Sequence, residues 1–166
     1  MLFRSREWSG NESRPLSDVD RYDLSKNRWD KVADTEMARM RVRGAAVNEK
    51  IYIVGEASTP ARPPNYVYRN TGYCRQAWEM YDETTNEWQI IAGFRDSLKY
   101  NVHTLSVDGE LYVLGIKSVF RNYTESEPKR IRIERYIPEE NKWETKTEVT
   151  ARCSTGAFVH LPSLAQ

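Results

Sequence analysis

A short pattern occurs three times along the chain: a Tyr is followed five residues later by Asn and seven residues later by Trp. The copies begin at Tyr22, Tyr81 and Tyr136, so they are 59 and then 55 residues apart. One such triplet is weak evidence, but three copies in register indicate an internal structural repeat. The chain is therefore expected to consist of a series of similar units.

Two further elements repeat in phase with the triplets. The sequence Lys-Ile-Tyr-Ile-Val-Gly at 50–55 matches Glu-Leu-Tyr-Val-Leu-Gly at 110–115, which lies 60 residues later. Gly-Ala-Ala-Val at 44–47 is matched near the end of the chain by Gly-Ala-Phe-Val at 156–159. The runs at 51–54 and 111–114 are short, β-rich and lack polar alternation, which is typical of strands covered on both faces.

Polar turns separate these runs. Asn48-Glu49-Lys50 and Asp108-Gly109-Glu110 are predicted to be tight hairpin turns. The Asn of each triplet lies in a second turn, which it suits because Asn tolerates positive φ. Each unit is therefore predicted to contain four antiparallel strands: a (Gly-Ala-Ala-Val), b (Tyr-x-x-Gly), c (ending at the repeated Tyr) and d (starting at the Trp).

Four-stranded sheets at a period near 50 residues are typical of a kelch-type β-propeller. The chain resembles the kelch repeat family, in particular the kelch-like proteins, through its Tyr-Asp, Asn and Trp positions and through Gly55 and Gly115. The family usually has two glycines after strand b, whereas Glu56 and Ile116 follow the glycines here. The resemblance covers nearly the whole chain. It implies an all-β fold of kelch-type propeller blades, each with four antiparallel strands.

The length limits how many blades the chain can form. At roughly 50 residues per blade, the 166 residues hold about three blades, whereas a closed propeller has about 4–8. An incomplete propeller is predicted, with a partial blade at 1–36, blades at 37–92 and 93–148, and a final strand a within 149–166. The chain is interpreted as the C-terminal part of a kelch-like (BTB-kelch) protein, a short isoform of one, or a half propeller that pairs with a second copy.

The repeated residues are assigned a structural role. Their aromatic side chains are expected to pack between neighbouring blades rather than to contact a ligand. The structural set comprises Tyr22, Trp29, Tyr52, Gly55, Tyr81, Trp88, Tyr112, Gly115, Tyr136 and Trp143.

Strand alternation predicts where a binding face would lie. The a–b and c–d turns share one end of each sheet, and the long b–c loops, near 56–73 and 116–129, share the other with the d–a connections. This long-loop end is basic, with net charges of +2 over 56–75 and +3 over 116–132. Arg and Tyr interleave there, as they do at the energetic centres of protein interfaces. The predicted partner-binding residues are Arg41, Arg43, Arg62, Tyr66, Tyr68, Arg69, Lys99, Tyr100, Asn101, Arg121, Tyr123, Arg152 and Ser154.

The resemblance adds a functional expectation. In kelch-like proteins a short segment of a partner commonly docks at this end, and Lys99 and Arg152 stand where the family often has a basic residue opening strand a. It implies a protein target with an acidic or phosphorylated segment. It also implies the substrate-recognition part of an adaptor for a cullin-RING E3 ubiquitin ligase, with the cullin bound only through a BTB domain absent from this chain. An actin-binding or other cytoskeletal kelch scaffold is the alternative.

Other functions have little support in the composition. With 25 Lys and Arg against 24 Asp and Glu, the chain lacks the basic excess of a nucleic-acid module. No apolar run approaches a membrane span. Cys74, Cys153, His103 and His160 lie at no metal-ligand spacing. No catalytic pair is recognisable, so a non-enzymatic, cytoplasmic protein without a cofactor or metal is expected.

Overall fold

The computed structural model describes residues 2–5, 16–57, 75–93, 101–118 and 128–151. These residues form eleven strands and one short 3-10 turn at Pro138–Glu140. The strands are β1 (Leu2–Ser5), β2 (Val19–Asp23), β3 (Arg28–Lys31), β4 (Arg39–Val47), β5 (Lys50–Ala57), β6 (Arg75–Asp82), β7 (Glu87–Ile91), β8 (Asn101–Val107), β9 (Glu110–Ser118), β10 (Lys129–Ile137) and β11 (Lys142–Ala151).

The chain divides into two compact units, residues 1–93 and residues 94–166. Unit 1 contains a sheet with the order β1-β2-β3 and a sheet with the order β4-β5-β6-β7, while unit 2 contains a sheet with the order β8-β9-β10-β11. Every strand pair within these sheets is antiparallel. The predicted all-β fold with four-stranded antiparallel blades is therefore confirmed.

The first sheet has three described strands. β1 pairs with β2 along Leu2–Ser5, in the place that strand b holds in the other two sheets. β11 extends to Ala151, so residues 149–151 form the end of a strand d, and the predicted final strand a from residue 152 onward lies outside the described residues.

Hairpin turns with left-handed backbone join strands a and b. Asn48 and Glu49 have φ values of 47° and 63°, and Asp108 and Gly109 have values of 49° and 76°. Two consecutive positive φ angles define a type I′ turn, whose twist matches that of the flanking strands. Local sequence therefore fixes the register of β4 against β5 and of β8 against β9.

The repeated triplet forms one hairpin three times. Tyr22, Tyr81 and Tyr136 lie directly opposite Trp29, Trp88 and Trp143 on the neighbouring strand. Their ring centroids are 5.0 to 5.1 Å apart, a separation at which aromatic pairs attract. In each copy the Tyr hydroxyl donates a hydrogen bond to the Asn side-chain oxygen. The Asn residues have φ values of 51°, 55° and 45°, so the spacing closes a left-handed turn.

The second copy builds the core of unit 1. Tyr81 and Trp88 are buried with Ile53 of their own sheet and with Val19 and Val32, which belong to the first sheet and the segment after it. The Trp88 indole N–H also donates to the Ala33 carbonyl oxygen at 2.9 Å. In contrast, Trp29 is 43% exposed. The same motif thus lies inside the core in one blade and at the surface in another.

Strands β5 and β9 are the most buried of their sheets, as the apolar runs predict. In β5, Tyr52, Ile53 and Val54 are buried, and in β9 the same is true of Leu111, Val113 and Leu114. Both strands continue past Gly55 and Gly115, neither of which adopts positive φ. The strand therefore continues even though this position has one glycine, followed by Glu56 or Ile116, where the family usually has two glycines. The repeated glycine of strand a has a steric reason: a Cβ at Gly44 would lie 3.0 Å from the Tyr52 carbonyl oxygen.

Candidate functional site

The predicted long-loop end contains the starts of β4, β6, β8 and β10 and the ends of β5, β9 and β11. Three predicted partner-binding residues, Arg41, Arg43 and Asn101, lie in described strands. The other ten lie outside the described residues: Arg62, Tyr66, Tyr68, Arg69, Lys99, Tyr100, Arg121, Tyr123, Arg152 and Ser154.

Arg43 is exposed next to an irregularity in β4. The pairing with β5 passes from Met40 opposite Glu56 directly to Arg43 opposite Val54. Two residues of β4, Arg41 and Val42, therefore face one residue of β5, which is a β-bulge. The Arg43 guanidinium donates to the Val42 carbonyl oxygen at 3.2 Å and is otherwise directed to solvent. Bulges of this kind re-aim side chains at the rims of sheets.

The residue that opens β4 is buried, although it is basic. Arg39 has no exposed surface, and its guanidinium pairs with the equally buried carboxylate of Glu79 on β6. Glu79 also accepts the backbone N–H groups of Glu36 and Met37 at 2.8 and 3.2 Å. Burial raises the pKa of Glu79, whereas Arg39 and the two amides oppose that rise. The pair therefore fixes the segment between the first and second sheets.

Arg39 and Lys99 occupy the same position of the repeat. They are 60 residues apart, which is also the distance between the two Tyr-x-x-Gly elements. In unit 1 the side chain at this repeat position serves the interior of the protein rather than a ligand surface. The Arg39–Glu79 pair was not predicted from the sequence. A signal was present, because an acid stands two residues before the repeated Tyr in each copy, as Asp20, Glu79 and Glu134. All three are buried.

In unit 2, two arginines at the long-loop end converge on one carboxylate. Arg132 Nε donates a hydrogen bond to Glu148 Oε2 at 2.7 Å, and Arg132 Nη2 lies 2.7 Å from the same oxygen. Arg130 Nε lies 3.2 Å from Glu148 Oε1. The positive charge counted in the sequence over 116–132 is therefore partly neutralised by a residue outside that range. This acid, Glu148, was also missed, since its position opposite Arg132 depends on the register of β11.

The acids at the tight-turn end stabilise turns and cross-strand contacts. Asp23 and Asp82 each accept hydrogen bonds from the residue two positions later, Ser25 and Thr84. These bonds hold the pKa of the Asp23 carboxyl well below its usual range and lower that of Asp82 to about 2. Glu83 pairs with Arg21 of the first sheet at 2.8 Å. The acidity of this end therefore has structural explanations.

Metal and membrane sites were also sought. Within the described ranges, no group of three or more His, Cys, Asp and Glu side chains could hold a metal ion. None of the helices found in those ranges has the length and apolar character needed to cross a bilayer.

Comparison with known proteins identifies relatives of one kind, although no protein-family model matches the chain. Kelch-like protein 25 of Xenopus tropicalis is 28% identical over 144 residues, which is 84% of this chain and 22% of the relative. An F-box/kelch-repeat protein of Arabidopsis thaliana is 31% identical over 104 residues, or 63% of this chain and 24% of the relative. The human Kelch-like protein 25 is 28% identical over 118 residues, or 68% and 18%.

The chain thus spans about a fifth to a quarter of the length of these curated relatives. The structure contains the Tyr–Asn–Trp hairpin of the sequence repeat three times. The repeat and these relatives together show that the chain is similar to kelch-repeat proteins.

Proposed function

We propose that this chain is a protein-interaction module whose long-loop end binds an acidic or phosphorylated segment of a partner protein. The observation that carries the proposal is the exposure of one arginine in each unit, at the bulge of β4 in unit 1 and near the start of β10 in unit 2. Arg43 is exposed in unit 1, and Arg130 is 46% exposed in unit 2. Arginine suits this task because its planar guanidinium binds carboxylate and phosphate groups through two parallel hydrogen bonds.

The predicted loop residues would supply further contacts. They alternate Arg with Tyr, and these two residue types carry much of the binding energy in protein interfaces. The kelch-type relatives support a role in protein interaction over a catalytic one.

The proposal is tested by charge reversal at the two ends of the sheets. Arg43→Glu with Arg152→Glu should weaken binding of a fluorescently labelled octaglutamate peptide at least tenfold, because two attractive charges become repulsive. Lys142→Glu near the tight-turn end, with Lys26→Glu, makes the same change in net charge and serves as the control. Equal binding by the wild-type chain and the long-loop variant would contradict the proposal.

We further propose that the module serves target recognition in a ubiquitin ligase adaptor. The resemblance to kelch-like proteins, which join a BTB domain to a propeller and recruit targets to cullin-RING ligases, supports this role. The experiment is affinity purification of the full-length protein from cells. A cullin and a target should co-purify, and the charge reversal should remove the target while the cullin stays bound.

A cytoskeletal scaffold is the alternative, since a basic end is also compatible with the acidic surface of actin. Co-sedimentation with filaments at physiological salt distinguishes the two functions. Pelleting that persists at this salt concentration favours the scaffold, because weak charge attraction is largely screened there.

A further inference from the structure

The geometry at the long-loop end of unit 2 points to Glu148 as an internal occupant of an anion-binding site formed by Arg130 and Arg132. We infer that an acidic segment of a partner displaces Glu148 and takes its place between the two guanidinium groups. This inference rests on the proposed function and deepens it, because it names the residues and the competing group.

The contacts of Glu148 resemble those of a bound ligand. One carboxylate oxygen, Oε2, accepts a hydrogen bond from Arg132 Nε at 2.7 Å and lies 2.7 Å from Nη2 of the same guanidinium. The other, Oε1, lies 3.2 Å from Arg130 Nε. Both guanidinium groups therefore approach the same carboxylate. A glutamate or aspartate of a partner carries the same group and could make the same bonds.

Arg132 is held in place independently of Glu148. Its Nη1 lies 3.7 Å from Oε1 of Glu134, whose side chain is 3% exposed. Thr145 donates a hydrogen bond to the same oxygen of Glu134 at 3.1 Å. The position opposite Arg132 on β9 is Gly115, which has no side chain to occupy the space above the strand. The guanidinium is therefore preorganised, which lowers the cost of binding a new anion.

Glu148 can leave more easily than Arg132 because it is more exposed. The Glu148 side chain is 33% exposed, whereas that of Arg132 is 17% exposed. Glu148 also lies on β11, an edge strand of its sheet. A partly exposed ion pair contributes little net stability, since water solvates the separated charges well. Rotation of Glu148 into solvent would leave Arg132 with the buried Glu134 and would free Arg130 from Glu148, so the site would become more positive.

Charge balance explains why the partner should be acidic. Arg130 and Arg132 together carry two positive charges, and Glu134 and Glu148 carry two negative charges. The cluster is neutral with Glu148 in place and carries one net positive charge once that side chain has turned away. A carboxylate of an acidic segment, placed between the two guanidinium groups, would restore neutrality.

The test compares two variants that remove the same charge from the same strand. Glu148→Gln should bind a labelled octaglutamate peptide about three- to tenfold more tightly than the wild-type chain, measured by fluorescence anisotropy, because the competing anion is gone. Glu144→Gln is the matched control. Glu144 also lies on β11, but it pairs with Arg135 and Lys146 instead. Its variant should leave the affinity within about twofold of the wild-type value.

A second variant assigns the gain to the arginine site. Arg132→Gln in the Glu148→Gln background should abolish the increase in affinity. Circular dichroism identifies variants that fail to fold. NMR of the arginine Nε–H groups in the wild-type chain provides a measurement without mutation: the signals of Arg130 and Arg132 should shift on addition of octaglutamate, and those of Arg135 should not.

Two results would overturn the inference. Equal affinities for Glu148→Gln and Glu144→Gln would attribute any gain to net charge alone, and unchanged signals of Arg130 and Arg132 would place the peptide elsewhere. If the Arg43 and Arg152 reversal still removed binding in that case, the proposed function would stand and the role of Glu148 would fall. If the reversal had no effect on binding, the proposed function would fall and the inference that rests on it would fall too.

Discussion

Arg39 and Glu79 form a fully buried ion pair in unit 1, where the segment leaving the first sheet enters the second. Two backbone amides of that segment, from Glu36 and Met37, complete the hydrogen bonding of the carboxylate. A buried charge is tolerated when it is paired and hydrogen-bonded in this way. The pair therefore joins the segment that leaves the first sheet to strand β6 of the second sheet.

Removal of one member of the pair should strongly destabilise the chain. Arg39→Met leaves the Glu79 carboxylate buried without its cation, at an expected cost of about 3–5 kcal/mol in the free energy of unfolding. The double variant Arg39→Met with Glu79→Gln removes both charges and should recover a large part of that loss. Urea denaturation measures both values. A double variant no more stable than Arg39→Met would contradict a role based on charge pairing.

The two tryptophans of unit 1 that belong to the repeated triplet, Trp29 and Trp88, should differ in their contribution to stability. Trp88 is 6% exposed and bonded to Ala33, whereas Trp29 is 43% exposed. Trp88→Ala should cost about 3–5 kcal/mol because it empties a packed core site. Trp29→Ala should cost about 1 kcal/mol. Thermal or urea denaturation of the two variants measures the difference. Similar decreases in the free energy of unfolding would show that the exposure of the Trp side chain does not determine its contribution to stability.

Asn86 combines a backbone requirement with a bridging side chain. Its φ is 55°, and its side-chain oxygen accepts the Tyr81 hydroxyl at 2.9 Å and the Ala33 backbone N–H at 3.1 Å. Asn86→Ala should destabilise the chain by about 2 kcal/mol, since it adds backbone strain to the loss of both hydrogen bonds.

Asn86→Gly separates these two effects. Glycine adopts the left-handed conformation without strain but cannot bridge Tyr81 and Ala33. The glycine variant should therefore be about 1 kcal/mol more stable than the alanine variant and still less stable than the wild-type chain. Equal stability of the two variants, measured by urea denaturation, would show that the left-handed backbone has no energetic consequence here.

Turns formed by residues that are close in sequence could be predicted. The hairpin of Tyr81, Asn86 and Trp88 spans eight residues, and the left-handed turn at Asn86 was predicted from the spacing and from the residue type. The hydrogen bond and the ring contact within this hairpin were not predicted. The same reasoning predicted tight turns at Asn48-Glu49 and Asp108-Gly109, which the structure identifies as type I′. Local backbone preferences act within such short segments and depend little on the rest of the fold.

Contacts that depend on strand register could not be predicted. Arg39 and Glu79 are 40 residues apart in sequence. In addition, β4 contains a bulge between Met40 and Arg43 that no residue type in this segment indicates. Likewise, Glu148 lies opposite Arg132 across a pairing that shifts between Ile133 and Glu134. A shift of one residue moves a side chain to the other face of a sheet. The net charge counted along the sequence therefore overestimated the positive charge of the long-loop end, because Glu148 neutralises part of it.

The carboxyl of Asp82 should give the chain a distinct pH dependence. Its pKa is lowered from 3.8 to about 2, chiefly by the hydrogen bond from the Thr84 hydroxyl and then by that from Lys50. Because the folded state holds the ionised form more strongly than the unfolded state, the stabilisation is complete above about pH 4 and is lost as the pH falls towards about 2. Asp82→Asn should therefore lower the free energy of unfolding at pH 7, and the gap to the wild-type chain should narrow steadily below pH 4. Urea denaturation at several pH values measures it, with Glu87→Gln on the next strand as a charge-matched control. A gap that stays constant down to pH 2 would show that the ionised carboxylate is not the stabilising group.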